Sequence, residues 1–400
     1  MRKEKVLSVL NGLWPKKDVI LFNSFPDLNG NALAVYEYIL RERPDLREKY
    51  ALIWALTDLS EAEAVRILSA RTGVSSHLTV DKKSLNGILR FLQAKYLVTT
   101  HGYFPSVRSP RGQIDAKVWH GMPFKRVGRL LENDAHTSGS QDEADCTEAT
   151  SVLYQDIMMK VFGIPREKVF LTGQPCNDFF ADNGKGLSKM VPDASSFSKV
   201  LIWLPTYRRS VVGDIRVDGP ENSFGVSTLL SEHFDELDAA LKQRNILLLI
   251  KPHPMDVLCR MTLPTSRHIR VIHNADLSAA AVQLYEFLSG CDVLMTDYSS
   301  VFIDFLVTDK PIAFVCDDLE EFGGNRGFCF DPPRDYMPGE LIPDYDALIR
   351  YLDHMDEINA GWDEKRREIT RLFNPMNDHR ASERVCDILW PRSGREPFQK

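Results

Sequence analysis

Two histidines stand where imidazole chemistry is easily arranged. The strand-like Val118-Trp119 runs into His120-Gly121-Met122-Pro123-Phe124-Lys125, which sets an imidazole, a glycine and a lysine at a strand end. With an ordinary pKa of about 6.5, His120 can take or give a proton at neutral pH, and Gly121 lets a substrate approach the backbone. A hydrogen-bonded turn would explain the same residues, and His101-Gly102 after Thr99-Thr100 repeats the dipeptide without an assigned role. The second histidine lies in Leu249-Ile250-Lys251-Pro252-His253-Pro254, where flanking prolines fix the backbone so that His253 and Lys251 face a defined direction. Trp203-Leu204-Pro205-Thr206-Tyr207-Arg208-Arg209 ends another strand with a hydroxyl and two guanidinium groups, a setting suited to an anion. Each of these two segments also reads as a polar strand-to-helix loop.

The strongest local pattern is Cys291 to Phe305, in which a buried strand turns straight into a helix through Asp297, Ser299 and Ser300. A serine there can cap the helix while its unpaired N–H groups and dipole hold phosphate without net positive charge. Capping alone is the competing reading. Asp292, Asp297 and Asp304 have no partnering histidine cluster, so they read as solvated or capping carboxylates and no metal site is expected. Glu320 to Phe328 reads as a mobile glycine loop around Arg326 and Gly327, able to close a guanidinium over a diphosphate, or as a plain surface turn.

Positioning such groups needs strand ends side by side, and the chain supplies two series of them. Val19–Phe22, Leu52–Leu56, Tyr96–Thr100, Lys117–Trp119 and Val169–Thr172 form the first. Val200–Leu204, Ile246–Ile250, Ile269–Ile272, Val293–Thr296 and Ile312–Val315 form the second. Amphipathic helical patterns lie between strands, as at Ala32–Leu40, Ala64–Leu68, Leu229–Leu241 and Leu277–Leu288. Ala181 to Ser198 is rich in Gly, Ser, Asp and Pro and reads as a linker. Two doubly wound α/β domains follow, at residues 1–185 and 199–400, with ligands expected beyond the carboxyl ends of the strands, in a cleft between the domains.

The 400 residues, 44% hydrophobic and 26% charged, suit two ordinary cores. A net charge of −7 leaves no bulk basic field, so nucleic acid is not an expected partner. Seven scattered cysteines without a CxxC pair indicate a reducing compartment, and a cytoplasmic location is expected. No GxxxxGK[ST], GxGxxG after a strand, HExxH or GxSxG occurs, which removes the motif support for P-loop nucleotidases, Rossmann dehydrogenases, zincins and α/β-hydrolases. No apolar stretch approaches the roughly 20 residues of a spanning helix. At the N-terminus, Val6, Leu7, Leu10, Leu13 and Trp14 fall at helical spacing among Arg2, Lys3, Lys5, Lys16 and Lys17. That helix either lies on an anionic membrane surface or docks on the protein's own core.

Taken in order from Phe22 to Ser382, these segments resemble the CDP-glycerol glycerophosphotransferase family of teichoic acid primases and polymerases. The likeness rests on Cys291–Phe305, Asp309-Lys310-Pro311-Ile312, Asp317–Glu321, Arg326-Gly327-Phe328 and Met337-Pro338-Gly339. Upstream, Asn31–Ile39, His120-Gly121 with Pro123, Gly173–Asp178 and Leu204–Arg208 agree. The sequence departs from the family at Met122, where Thr is frequent, and in the tail Asn374–Ser382. The resemblance implies a GT-B-like fold that binds CDP-glycerol or a related CDP-alditol mainly on its second domain. It implies transfer of the alditol phosphate to a hydroxyl of a membrane-borne acceptor, with CMP leaving, in teichoic acid or capsule-type polymer synthesis. His120 matches the catalytic histidine of the family's HG motif and His253 the second functional histidine of its HP motif, while Arg326, Ser299 and Ser300 match diphosphate-binding positions. The chain is more similar to single-addition members or capsule relatives than to polymerases with an added membrane-binding region.

The expected reaction is in-line attack by an acceptor hydroxyl on the β-phosphorus, with His120 as base or proton relay. The expected substrate-binding set is Gly121, Lys125, Thr206, Arg208, Lys251, Asp297, Ser299, Ser300, Arg326 and Gly327. Because His, Arg, Lys and a helix dipole can together offset a diphosphate, no cofactor is expected as a requirement; Mg²⁺ stays open as an ion carried in by the nucleotide. Expected partners are the CDP-alditol donor, a lipid-linked glycan acceptor and the inner face of the cell membrane, with a homo-oligomer left open. Two alternatives share the architecture: a GT-B glycosyltransferase using a nucleotide sugar, and an inactive nucleotide-binding homologue.

Overall fold

The computed structural model describes residues 2–104, 107–131, 144–206, 225–253, 263–325, 327–392 and 398. They form two compact units, one of residues 1–122, 127–179 and 376–400, the other of 123–126 and 180–375.

The first unit is built on a seven-stranded sheet whose pairings are all parallel. Its strands are β1 (Lys17–Asn23), β2 (Ala51–Leu56), β3 (Leu78–Asp81), β4 (Ala94–Thr99), β5 (Ile114–Lys117), β6 (Cys146–Ala149) and β7 (Val169–Leu171), in the order β3-β2-β1-β4-β5-β6-β7. The central runs are almost wholly apolar because helices cover both faces of a parallel sheet. Val19, Leu21, Ile53, Val80, Phe91 and Leu97 make the core of one face. The second unit carries β8 (Lys199–Leu204), β9 (Ile246–Ile250), β10 (Ile269–Val271), β11 (Val293–Thr296), β12 (Ile312–Val315) and β13 (Glu340–Ile342), again all parallel, in the order β10-β9-β8-β11-β12-β13. In each sheet the strand order reverses beside the first strand, between β1 and β4 and between β8 and β11.

Three strands lack the expected signature. β3, β6 and β13 are short, and β6 reads Cys-Thr-Glu-Ala although all four residues are buried. β5 ends at Lys117, where the sequence suggested it would begin. The helical stretch 229–241 is divided at His233, and 277–288 breaks at Ala281, which takes the left-handed conformation.

The segment Ala181–Ser198 is a packed element rather than a linker. It contains the helix Lys185–Met190 and a 3₁₀ turn at Ala194–Ser196, and Leu187, Val191 and Phe197 are buried. The helix lies against Leu284–Ser289 so closely that a Cβ at Gly186 would stand 2.8 Å from the Glu286 carbonyl carbon, and one at Gly290 2.6 Å from Leu187 Cβ. The glycines that suggested a flexible chain are therefore the ones that admit a neighbouring backbone.

The unit boundaries also differ from residues 1–185 and 199–400. The tail from Met376 belongs to the first unit because Asp178 accepts the backbone N–H groups of Ala381 (3.0 Å) and Ser382 (2.8 Å). The helix Ala381–Leu389 then packs on Gly30–Glu42. In the opposite sense, Pro123–Arg126 belongs to the second unit, where Lys125 pairs antiparallel with Phe328. Among the described residues no helix is long and apolar enough to cross a membrane, and the six described cysteines form no disulfide with one another.

Replacing Gly186 by Ala forces Cβ into the Glu286 backbone, so Gly186→Ala should cost about 1–3 kcal/mol of stability, read as a lower thermal unfolding midpoint.

Candidate active site

In the first unit β4 and β5 are neighbours with Thr99 opposite Lys117. A His-Gly dipeptide follows shortly after each strand, at His101-Gly102 and His120-Gly121, and the parallel register brings the two together. The rings of His101 and His120 stack with centroids 4.2 Å apart and planes within 4°. Trp119 stands 4.0 Å from His120 on a tilted plane. The Thr100 hydroxyl bonds His101 Nδ1 at 2.8 Å and accepts the Phe25 N–H, which ties this corner to the end of β1. Gly121 has φ of +149°, so the chain turns away directly after His120 in a conformation that favours glycine.

Burial pushes the His101 pKa down to about 4, with Lys117 and Lys82 adding to the effect. His120 is lowered as well, first by the packed protein around its ring and then by His101, against a hydrogen bond to the Thr100 backbone that favours the charged form. His120 nevertheless keeps an exposed edge, and water reaching it limits the desolvation to less than a sealed ring would suffer. Both imidazoles are consequently neutral at pH 7, the state a proton acceptor needs. Lys117 is fully buried below them, its ammonium 5.3 Å from the centre of the Phe162 ring.

Asn31 holds this corner from beneath. Its amide nitrogen donates to the Trp119 carbonyl (3.2 Å) and to Gln174 Oε1 (3.0 Å), and its oxygen accepts the Cys176 N–H (2.8 Å). The same amide lies 3.4 Å from Glu148 Oε1. Glu148 is buried, and burial raises its pKa to about 8, so the carboxyl is mostly protonated at neutral pH.

In the second unit the residues expected to hold an anion follow three adjacent strands, β9, β8 and β11. Thr206 follows β8, Lys251 and His253 follow β9, and Asp297, Ser299 and Ser300 follow β11. Lys251 is buried, its N–H bonded to the Trp203 carbonyl at 3.0 Å, and His253 is half-buried. Asp297 is neither solvated nor a helix cap. It is buried and accepts both the Thr206 N–H (2.9 Å) and the Thr206 hydroxyl, across the point where the strand order reverses. The geometry gives it the task of fixing Thr206. Asp304 is likewise a buried acceptor, for the Tyr285 hydroxyl at 2.8 Å.

Ser299 and Ser300 are half-buried at the start of the helix Val301–Phe305, and Ser300 makes no side-chain capping bond. This helix has only five residues before it tightens into a 3₁₀ turn, so its dipole is that of little more than one turn.

The segment expected as a mobile glycine loop is ordered by aromatic packing. Leu319–Asn325 is helical, and Phe322 is fully buried, stacked 5.4 Å from Phe328 and 4.5 Å from Tyr298. The Tyr298 hydroxyl donates to Asp318 at 2.8 Å. Gly327 has φ of +79°, and a Cβ there would stand 2.9 Å from Arg126 Cδ. Arg126 bonds this turn twice, through its N–H to the Gly327 carbonyl (3.0 Å) and its Nε to the Phe328 carbonyl (3.2 Å). The Lys125 ammonium lies 5.6 Å from the centre of the Phe322 ring. Arg208 and Arg326 lie outside the described residues. Among the described residues no group of three or more His, Cys, Asp or Glu side chains is placed to hold a metal ion.

The family model for CDP-glycerol:poly(glycerophosphate) glycerophosphotransferases matches residues 7–391. The chain belongs to this family. Staphylococcus aureus teichoic acid glycerol-phosphate transferase is 27% identical over 413 residues, covering 96% of this chain and 95% of that protein. The teichoic acid ribitol-phosphate polymerase TarL of the same organism is 26% identical over 85% of this chain, which spans 57% of the polymerase. Among solved structures, the wall teichoic acid polymerase TagF superposes with a TM-score of 0.75 at 19% identity, covering 96% of this chain and 93% of that one, a likeness of fold. The α/β, GT-B-like architecture expected from the sequence is thus the observed one.

Three residues of this family member escaped the sequence reading. His101 carried a visible signal, the repeated His-Gly dipeptide, whose meaning depends on β4 and β5 being neighbours. Arg126 follows Lys125 directly after the HG motif but pairs with residues some 200 positions away. Asn31 lay within a recognised segment, yet its partners are spread over Trp119, Gln174 and Cys176.

Glu148 titrates above its ordinary value, so the native state holds a proton that the unfolded chain releases. Stability should therefore fall as pH rises from about 4.5 to about 8, by up to roughly 1.4 kcal/mol per pH unit, and level off above. Glu148→Gln should flatten that slope and raise the unfolding midpoint at pH 8, as followed by thermal melts across the range.

Proposed function

We propose that this protein transfers glycerol phosphate, or a related alditol phosphate, from the CDP-linked donor to a hydroxyl of a membrane-linked glycan or polyol-phosphate acceptor. CMP is the leaving group. The observation that carries this reading is the family match over residues 7–391. The site geometry supports it: a neutral imidazole at the end of β5 in one unit, and in the other a hydroxyl, a lysine, a histidine and two serines after three adjacent strands.

The acceptor oxygen attacks the β-phosphorus in line, the phosphorus–oxygen bond to CMP breaks, and His120 takes the hydroxyl proton. His101, stacked on the ring and itself neutral, fixes its plane and adds no second positive charge beside the forming imidazolium. Ser299, Ser300, Lys251 and His253, with Arg326 and Arg208, are assigned to the diphosphate. Thr206 is held ready by Asp297, and Lys125 and Gly327, which the Lys125–Phe328 pairing brings side by side, are assigned to the same ligand. Gly121 leaves room beside His120 for the acceptor. We assign no resident cofactor, with Mg²⁺ entering only as a counterion of the nucleotide, and a cytoplasmic location at the inner face of the membrane.

The deciding assay offers CDP-glycerol, CDP-ribitol and UDP- and GDP-sugars with lipid-extract acceptors, with and without EDTA, and follows nucleotide release and product mass. CMP release with an alditol phosphate added to the acceptor is the expected result; release of UDP or GDP with sugar transfer would sink the reading. His120→Ala should lower turnover about 10²–10⁴-fold with donor affinity by calorimetry retained, and unchanged turnover would remove His120 as the base. His101→Ala should lower turnover less, about tenfold, and shift the acidic limb of the pH–rate profile to higher pH, because the stacked face of the His120 ring is then hydrated as well and its pKa rises. His101→Phe, which keeps an aromatic face, should restore part of the rate.

A further inference from the structure

Beyond the carboxyl end of the first sheet stands a cation that no carboxylate among the described residues pairs with. Lys82 follows β3 on a turn that is built rather than loose. Its N–H donates to the Leu56 carbonyl (2.8 Å), the Asp81 carboxylate accepts the Lys83 N–H (2.7 Å), and the Ser84 hydroxyl accepts the Gly87 N–H (2.9 Å). A Cβ at Gly87 would stand 2.2 Å from the Asp81 carbonyl oxygen, so the helix Leu85–Gln93 closes directly over this turn. The half-buried Lys82 side chain reaches the end of β1, where its ammonium donates to Asn23 Oδ1 (3.1 Å) and lies 5.1 Å from the centre of the Tyr103 ring. Asn23 is buried and spends its own amide N–H on the Ala55 carbonyl (2.9 Å), which fixes its oxygen toward Lys82. That bond satisfies one of the ammonium's donors and leaves the rest available. Burial pushes the Lys82 pKa down against the pull of Asp27, whose two oxygens are already taken up by the backbone N–H groups of Thr57, Asp58 and Leu59.

This cation belongs to the corner that holds the two imidazoles. Asn23 lies opposite Thr99 in the β1–β4 register, its carbonyl accepts the Thr100 N–H (3.1 Å), and the Thr100 hydroxyl in turn bonds His101. The Lys82 charge is felt at the His101 ring. β1 and β4 are also the strands between which the order of the sheet reverses, the place where a parallel sheet opens a crevice for ligands. Phe25, 47% exposed, sets its ring edge-on to His101 with centroids 5.8 Å apart and adds an apolar face to the same corner. We propose that Lys82, oriented by Asn23, is an anion subsite for the acceptor, taking a phosphodiester oxygen of a polyol phosphate whose free hydroxyl is offered to His120. The proposal rests on the reading of His120 as the base for an acceptor hydroxyl and narrows it. Of the two acceptor classes, a polyol phosphate carries a charge beside its hydroxyls and a neutral glycan carries none. The residues assigned to the donor diphosphate all lie in the second unit, whereas Lys82 stands on the sheet that carries His120, which favours the acceptor as its ligand.

The test uses the full chain and a pair of soluble probes that differ only in the charged group, glyceryl octyl phosphate and glyceryl octyl ether. Without donor, calorimetry should show the phosphate bound about tenfold or more tighter than the ether, on the order of one charge-assisted hydrogen bond. Lys82→Met keeps an aliphatic stem against Tyr103 and should abolish most of that difference, and Lys82→Arg should restore it. This arm needs no turnover, so it reads the subsite even if the nucleotide-release assay sinks transfer from a CDP-alditol. With CDP-glycerol present, Lys82→Met should raise KM for glyceryl octyl phosphate about tenfold while kcat changes much less; a merely structural role would instead lower kcat with both probes alike. Equal binding of the probes by the parent, binding of neither, or a difference that survives in Lys82→Met overturns the proposal. So does weaker CDP-glycerol binding by Lys82→Met, which would give the cation to the donor.

Discussion

Parallel pairing is the constraint on which everything else in this molecule rests. Each strand in a parallel sheet must deliver its chain at the same edge, and the return path must run through a crossover on one face or the other. Loops that are distant in sequence are thereby gathered side by side without any contact having been selected between them. Two histidines nineteen residues apart meet because β4 and β5 run together, and three polar loops of the second unit are gathered because β9, β8 and β11 are neighbours. The candidate residues sit where the architecture collects chain ends, and the apolar strands behind them supply rigidity rather than specificity.

What converts a collection of loops into a defined corner is a small number of buried polar side chains. Asn31 and Asp297 are both buried, and each satisfies backbone groups from another part of the chain. A buried backbone donor left without a partner is costly, so these residues hold their loops by a penalty for any other arrangement as well as by attraction. The arrangement suits a chain with excess negative charge. Such a protein cannot attract an anion by its overall field, and must instead present fixed local donors and cations whose positions are set before the ligand arrives.

The sequence made the sheets legible wherever strands were aliphatic and buried on both faces, as in Ile246–Ile250 and Val293–Thr296. It failed at β6, where Cys-Thr-Glu-Ala is buried for reasons of tertiary packing that no local pattern records. Glycine misled twice in the same way. In 181–198 and 320–328 it suggested freedom, whereas Gly186 and Gly327 admit a neighbouring chain at close range. The site residues were readable by position, because polar residues just past an apolar run fall at a strand end. Their partnerships were not, because Asp297 could be recognised as the holder of Thr206 only once β8 and β11 were neighbours.

The division of the chain carries a practical consequence for dissecting it. Neither compact body is a single continuous stretch: one borrows its final helix from beyond position 375, and the other takes in a four-residue excursion at 123–126. Phe124 contributes a ring to the cluster with Phe302 and Phe330, so a fragment beginning at 180 would leave that aromatic nest short of a member. A fragment ending near 185 would lack the Ala381–Leu389 helix that covers Gly30–Glu42. Separating the two halves by expression or limited proteolysis thus means cutting and rejoining the polypeptide at several places, and the natural experimental object is the uncut chain.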